Sequence, residues 1–347
     1  MKQRPLGLDI GASTIKAVLF SDKGNKLMLS VALISPTPPK GMLSEAPLDQ
    51  EEMARAIRQI VEEAKITTPF VNIALPENRV YTKVLDMPVL SDRELSSAIY
   101  WEAEQYIPVP LETITLDWKV LRRPSTPNEG KMQVLLVGAP VSLVTKYQNI
   151  LKLAGLTVSF AETEILSAIR ALTYKSQIDK NVHFPNSLIV NVGSAITSIA
   201  IIKDGILAFT YSFAIGGAAI NRAIATDLGF TITQAEEYKK VYGVSQETLG
   251  GKIGDATKPI LLSIIAEIKK AIAYFKEKNP DASISQIILS GGTAKLPGID
   301  GFFAQNCEIE TATANPWNML EGDAIPKEIQ DNGPDYTIAV GLGLRNV

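Results

Sequence analysis

The feature that most constrains this chain occurs in it twice. Residues 6–20, Leu-Gly-Leu-Asp-Ile-Gly-Ala-Ser-Thr-Ile-Lys-Ala-Val-Leu-Phe, are an apolar run, a turn of small residues at Gly11, Ala12, Ser13 and Thr14, and a second run from Ile15 to Phe20. That is the pattern of a β-hairpin. Asp9 sits at the end of the incoming strand, the small residues let backbone N–H groups approach an anion, and Lys16 follows on the outgoing strand. Together they suit a phosphate chain carrying a divalent cation, although an ordinary hairpin with one buried Asp has the same spacing. Residues 187–202, Ser-Leu-Ile-Val-Asn-Val-Gly-Ser-Ala-Ile-Thr-Ser-Ile-Ala-Ile-Ile, repeat the design. Asn191 stands where Asp9 stood and Gly193 where Gly11 stood, with Ser194 and Ala195 after it. Two such hairpins about 180 residues apart predict two similar halves, each offering a phosphate-binding turn to a shared cleft.

This layout resembles the actin-like (ribonuclease H-like) nucleotide-binding fold, a two-lobed α/β architecture with duplicated phosphate turns. Its third element is present at residues 287–298, Ile-Ile-Leu-Ser-Gly-Gly-Thr-Ala-Lys-Leu-Pro-Gly, a strand followed by a double glycine. The resemblance places Gly291 and Gly292 against the ribose and α-phosphate, where a Cβ would collide with the ligand.

Composition excludes several other classes. With 347 residues, 46% hydrophobic and 20% charged, the chain can build two or more full cores. A net charge of −3 gives no general electrostatic reason to bind nucleic acid. The single Cys307 excludes an internal disulfide, and with the lone His183 it cannot build a conventional zinc site. Asp9 interrupts what would be the apolar core of a signal peptide, and no run of roughly 18 residues is apolar enough to span a bilayer. The expectation is a cytoplasmic protein.

Along the chain, a third strand is expected at Lys26 to Ile34 and a proline-rich loop to Pro47. A helix opened by Asp49 with Glu52 as its capping partner follows, then a strand at Phe70 to Leu75. Residues 1–78 and 161–185 thus make the first half. Between them, residues 79–160 read as an inserted α+β unit with its own core. It comprises a strand at Val80 to Met87, a helix capped by Ser91, strands near Ile114 to Leu121 and Met132 to Val137 joined by the loop Arg123 to Gly130, and a helix from Val141 to Ala154. Residues 186–347 are the second half, with a helical subdomain at about 217–280. There Gly216 and Gly217 make a tight turn, Thr233 caps a helix carrying Glu236 and Lys239, and Lys258 to Lys278 forms a long helix.

Glu102-Ala-Glu-Gln-Tyr-Ile-Pro-Val-Pro-Leu-Glu, with Asp117 and Trp118 after it, resembles the hallmark of the PilM family, the actin-like proteins of the type IV pilus assembly platform. The likeness extends to Gly216-Gly217, Gly291-Gly292 and the ending Ile338-Ala-Val-Gly-Leu-Gly-Leu-Arg. The division protein FtsA is similar too, with the same type of inserted subdomain, and Ala235-Glu-Glu-Tyr-Lys239 resembles a stretch in both families.

The resemblance implies ATP or ADP with Mg²⁺ in the cleft. The turns Gly11–Ser13 and Gly193–Ala195 would hold the β- and γ-phosphates, Lys16 would neutralise charge, and Asp9 would orient waters around Mg²⁺. It assigns Glu236 and Lys239 to the ribose hydroxyls, although an i, i+3 pair is also an ordinary surface feature. Asn191 stands where the family usually has Asp. An amide supplies no charge and no base, so ATPase activity is expected to be weak or absent, with Glu164 left as the residue that could orient a water. The implied partners are the N-terminal cytoplasmic peptide of a PilN-like membrane protein, bound in a groove beside the insert, and other platform proteins. Attachment to the inner membrane would be peripheral, and a homo-oligomer is left open. Two alternatives remain. One is an FtsA-like division filament, although the chain stops at Arg345-Asn346-Val347 without that family's amphipathic tail. The other is a small-molecule kinase on the same fold, for which no local signature stands out.

Overall fold

Apolar strands set the centre of each half in this computed structural model, which describes residues 4–24, 26–126, 130–179, 181–244, 251–320 and 325–345. β1 (Leu6–Ile10) is buried along its whole length, as a strand covered on both faces must be. It pairs antiparallel with β2 (Thr14–Lys23), which pairs with β3 (Lys26–Pro36). β4 (Phe70–Leu75) and β8 (Thr157–Thr163) extend the sheet in parallel, giving the order β3-β2-β1-β4-β8. The second half repeats this plan with β9 (Ser187–Val192), β10 (Thr197–Lys203), β11 (Ile206–Phe213), β12 (Gln286–Ser290) and β13 (Glu310–Thr313), in the order β11-β10-β9-β12-β13. Strand directions repeat as well. The duplicated hairpins are therefore the middle of two equivalent sheets, and this is the actin-like α/β fold expected from the sequence.

Helix α1 (Pro47–Glu63) covers the first sheet with Met53, Ala54, Ile57 and Ile60. It begins at Pro47, with Ala46 as the preceding cap, and not at Asp49. Proline suits the first helical position because its missing N–H has no intrahelical acceptor there. Asp49 lies in the first turn and accepts a hydrogen bond from the Ser44 hydroxyl.

The inserted unit is β5 (Tyr81–Met87), α2 (Asp92–Tyr106), β6 (Ile114–Arg122) and β7 (Met132–Pro140), with strand order β5-β7-β6. Leu85, Met87, Leu95, Ile99, Ile107, Val134 and Leu136 form its core. Ser91 caps α2 in a capping box with Glu94. Part of the Arg123 to Gly130 loop lies outside the described residues. Helix α3 (Val141–Leu153), expected within the insert, packs elsewhere: Leu143, Tyr147, Ile150 and Leu151 join the core formed by β1, β4 and α1. Its amphipathic stripe says that it covers a sheet but not which one.

Helix α4 (Glu164–Ile178) returns the chain toward the second half. There α5 (Gly217–Leu228), α6 (Ile232–Tyr242), α7 (Lys252–Lys278) and α8 (Ile299–Cys307) pack against the second sheet. Thr231, not Thr233, caps α6, because its hydroxyl accepts from the Gln234 N–H while the Gln234 side chain accepts from the Thr231 N–H. Helix α7 begins at Lys252, ahead of the expected Lys258, and contains Pro259. After the short α9 (Lys327–Asp331), α10 (Gly333–Leu344) is buried at every residue but Asp335. It crosses back to the first half: Ser167 Oγ donates to Ile338 O at 2.7 Å, and Asn72 Nδ2 donates to the carbonyls of Leu342 and Arg345 at 3.0 Å. Among the described residues no helix is long and apolar enough to cross a membrane.

Candidate functional site

The β1–β2 register sets Asp9 directly opposite Lys16, and Lys16 Nζ donates to Asp9 Oδ2 at 3.1 Å. Both side chains are largely withdrawn from water. Burial works against the charge on Lys16, but Asp9, Asp335 and Glu164 outweigh it and hold its pKa above the ordinary lysine value. Asp335 arrives in the first turn of α10 and also pairs with Lys295. Sequence reasoning missed it; an acid just after Asn332-Gly333-Pro334, at a helix start, is the signal that was available.

Glu164 opens α4 on the same cleft. Its carboxyl is pushed up to about 8, first by burial and then by the like charges of Asp9 and Glu77, with Lys16 opposing. Glu77, a second residue not singled out from sequence, is buried where the chain leaves β4 for the insert and accepts from the Ile165 N–H at 3.3 Å. Burial pushes it up to about 7 against the hydrogen bonds it receives. Each acid therefore keeps a proton in the folded protein at pH values where the unfolded chain has lost it. Stability should fall as pH rises from about 4.5 through about 7 for Glu77 and about 8 for Glu164, then level off. The slope is about 1.4 kcal/mol per pH unit for each group. Urea unfolding between pH 5 and pH 9 should show Glu77→Gln losing less stability than the parent across that range; equal slopes would refute the assignment.

The first turn is held by the Gly11 N–H on Thr14 O at 3.1 Å and the Thr37 hydroxyl on Gly11 O at 2.8 Å. In the second, the Gly193 N–H donates to Ile196 O at 2.9 Å. The Gly193 and Ser194 carbonyls accept from the N–H groups of Gly217 and Ala218 at 2.9 and 2.8 Å. A Cβ on Gly216 would stand 2.6 Å from both carbonyls, so this glycine lets α5 dock onto the turn. The two turns meet: Ser13 Oγ donates to Ser194 Oγ at 2.8 Å, across 181 residues of sequence. Among the described residues, the N–H groups of Ala12, Ser13, Ser194 and Ala195 have no acceptor in the protein.

Asn191 is buried at the end of β9 and its Oδ1 has no hydrogen-bond partner; the same is true of the hydroxyl of Ser198, which faces it across the ladder. Gly291 has φ +83°, and a Cβ there would meet Val192 O at 2.5 Å and Asn191 Oδ1 at 2.9 Å. At Gly292 it would meet Asp335 Oδ1 at 2.9 Å. The need for glycine at these positions thus arises within the protein. Lys239 is buried and donates to Gly217 O at 3.3 Å, with its pKa pushed down to about 8 by burial against the pull of Glu236. Glu236 pairs with Lys240 at 2.7 Å instead, and also takes a 3.5 Å hydrogen bond from Asn221 Nδ2.

Four free N–H groups on two facing turns and a cation behind them fit a polyphosphate, and the unpaired Asn191 Oδ1 beside them is an acceptor for a water. For a metal the donors are sparse: among the described residues no three His, Cys, Asp or Glu side chains cluster to hold one. Asp9 acting through water, with phosphate oxygens completing the shell, is the arrangement compatible with Mg²⁺.

A profile of the family described as type IV pilus assembly protein PilM matches residues 7–347. The chain is similar, at TM-score 0.85 and 27% identity over 99% of both chains, to a structure described as a PilM-PilN type IV pilus biogenesis complex. The cell division protein FtsA of Streptococcus pneumoniae is 24% identical over an alignment of 332 positions, gaps included, that covers 84% of this chain and 71% of FtsA. MreB5 of Spiroplasma citri, solved bound to ADP, shares the fold at TM-score 0.51 and 14% identity, with 98% of this chain and 95% of MreB5 covered. By the span of the family match, this chain belongs to the type IV pilus assembly protein PilM family.

Proposed function

We propose that this chain is an ATP-binding scaffold of the type IV pilus assembly platform, holding the N-terminal cytoplasmic peptide of a PilN-like membrane protein and reaching the inner membrane through it. The observation that carries this reading is the full-length similarity to the chain of the PilM-PilN complex. The two facing turns support the nucleotide part. The N–H groups of Ala12, Ser13, Ser194 and Ala195 take the β- and γ-phosphates, Lys16 balances their charge, and Asp9 orients waters around Mg²⁺, which neutralises the phosphates when bound. Glu236 and Lys239 attend the ribose, and Gly291 and Gly292 form the wall beside it.

Turnover is slow on this reading. Asn191 cannot serve as a base, and a Glu164 carboxyl with its pKa near 8 is mostly protonated at neutral pH and cannot take a proton from water. Binding and release of the peptide, not hydrolysis, is then the working event.

The peptide groove lies beside the insert, near its junction with the first half, where Val80 packs on the first core and Tyr81 meets Tyr106 edge to face. Calorimetry with a synthetic peptide copying the cytoplasmic N-terminus of the neighbouring pilus membrane protein should give micromolar or tighter binding, roughly −8 kcal/mol. No binding of that peptide, with binding of a division-protein segment instead, would replace this reading with the FtsA-like one.

A further inference from the structure

A cavity of about 560 Å³ opens between the insert and the second half, away from the nucleotide turns; Tyr106 separates it from the junction assigned to the PilN-like peptide and lines it on that side. Thr82, Lys83 and Val84 in succession line one wall, and Ala208, Phe209 and Thr210 line the other. Successive strand residues point to opposite faces, so a cavity that touches three in a row meets the strand along its edge. Both strands are edges: β5 ends the sheet β5-β7-β6, and β11 ends the sheet β11-β10-β9-β12-β13. Each is paired on one side only, and the two edges face each other with backbones approaching within 8 Å, too close for a further strand between them, so the cleft engages a ligand through its side chains.

The charge in the cleft is uneven. Lys83, Arg122, Lys203 and Lys278 line it against the carboxylates Asp86 and Asp204. Among the described residues none of the four cations forms an ion pair. Two are set over aromatic rings on opposite walls: Lys83 Nζ lies 4.6 Å from the Tyr106 centroid, and Lys278 Nζ lies 4.8 Å from that of Tyr274. The Thr210 hydroxyl is buried without a hydrogen-bond partner. A second cavity of about 430 Å³ shares Lys203, Asp204, Lys278 and Asn279 with the first, so the cleft continues as a groove past the end of β10.

We propose that this cleft binds an extended acidic segment of a partner protein, laid along its length with its carboxylates on Lys83, Arg122, Lys203 and Lys278. The four cations, none of them held in an ion pair among the described residues, select acidic side chains, and Asn279, which accepts from Lys203 Nζ at 2.8 Å, holds that ammonium in the cleft. A segment seated there touches the insert and the second half together and fixes their spacing.

The test uses the full chain and a labelled octapeptide of alternating valine and glutamate, with its valine–lysine counterpart as control. The acidic peptide should bind, more weakly at about 200 mM salt than at about 50 mM. Hydrogen exchange should slow at Thr82–Val84 and Ala208–Thr210. Arg122→Glu and Lys278→Glu, both at exposed positions, should each weaken binding by about tenfold while leaving the ATP-dependent stabilisation of the protein unchanged. Four outcomes would overturn the proposal: no binding, binding indifferent to both variants, equal binding of the lysine peptide, or pyrophosphate protecting the same amides, which would make this a small-anion site. Dimerisation lost in Lys278→Glu would assign the cleft to a second copy of the chain and overturn it likewise.

Discussion

Asp9→Ala is expected to lower folding stability by about 3–5 kcal/mol and, separately, to remove the stabilisation that ATP with Mg²⁺ gives the parent protein. The first effect follows from what the substitution leaves behind: Lys16 stays largely buried with its nearest carboxylate gone, and only Asp335 and a mostly protonated Glu164 remain beside it. The second follows from linkage. A ligand bound only by the folded state adds about 2.7 kcal/mol at a hundredfold excess over its Kd. The two are separated by adding Lys16→Met to Asp9→Ala, which removes the stranded charge and should recover much of the stability but none of the nucleotide protection. Urea unfolding with and without millimolar ATP and Mg²⁺ reads both. A parent protein that ATP does not stabilise, or an Asp9→Ala protein that it still does, would remove the site.

Gly341→Ala should be at least as damaging, by more than about 4 kcal/mol, though it replaces one small helical residue by a better helix former. In an open helix that change stabilises by up to about 1 kcal/mol. In α10 the added Cβ would lie 1.9 Å from the Ser167 carbonyl oxygen, a backbone atom of α4 that cannot turn aside. Where the same helix meets β1, a Cβ on Gly7 would lie 2.3 Å from Ala339 O. Gly301→Ala is the control, since a Cβ there meets nothing within 4 Å and α8 should gain stability. If both glycine variants unfold at the same urea concentration as the parent, α10 does not pack as tightly as described.

What could be read from the sequence was local. The hairpin turns and the Ser91 cap of α2 depend on a few neighbouring residues, and each is where its signal put it. Asp9 and Lys16 were singled out separately, and their pairing with each other shows only in the hairpin register. Cap choice failed where two candidates stood close together, as with Thr231 and Thr233, because only the structure shows which hydroxyl meets an N–H. The allegiance of α3 could not be read, since amphipathicity does not name the surface it covers. Glu77 and Asp335 were invisible for a related reason. Their chemistry comes from burial and from partners far along the chain, such as Ile165 for one and Lys16 for the other. The pairing of Glu236 with Lys240 and of Lys239 with Gly217 O likewise depends on how α6 lies on α5.

The return of α10 to the first half governs how this chain can come off the ribosome. β1 is made within the first ten residues, yet the helix that seals Gly7 and Ser167 is residues 333–344. At synthesis rates of roughly 5–20 residues per second, β1 waits for roughly 15 to 65 seconds with one face uncovered. During that interval the second half can pair its own strands, whereas the first half cannot finish. The nascent protein should therefore protect its later half first, and exposure of β1 to chaperones or to a neighbouring chain should end only when the final helix emerges.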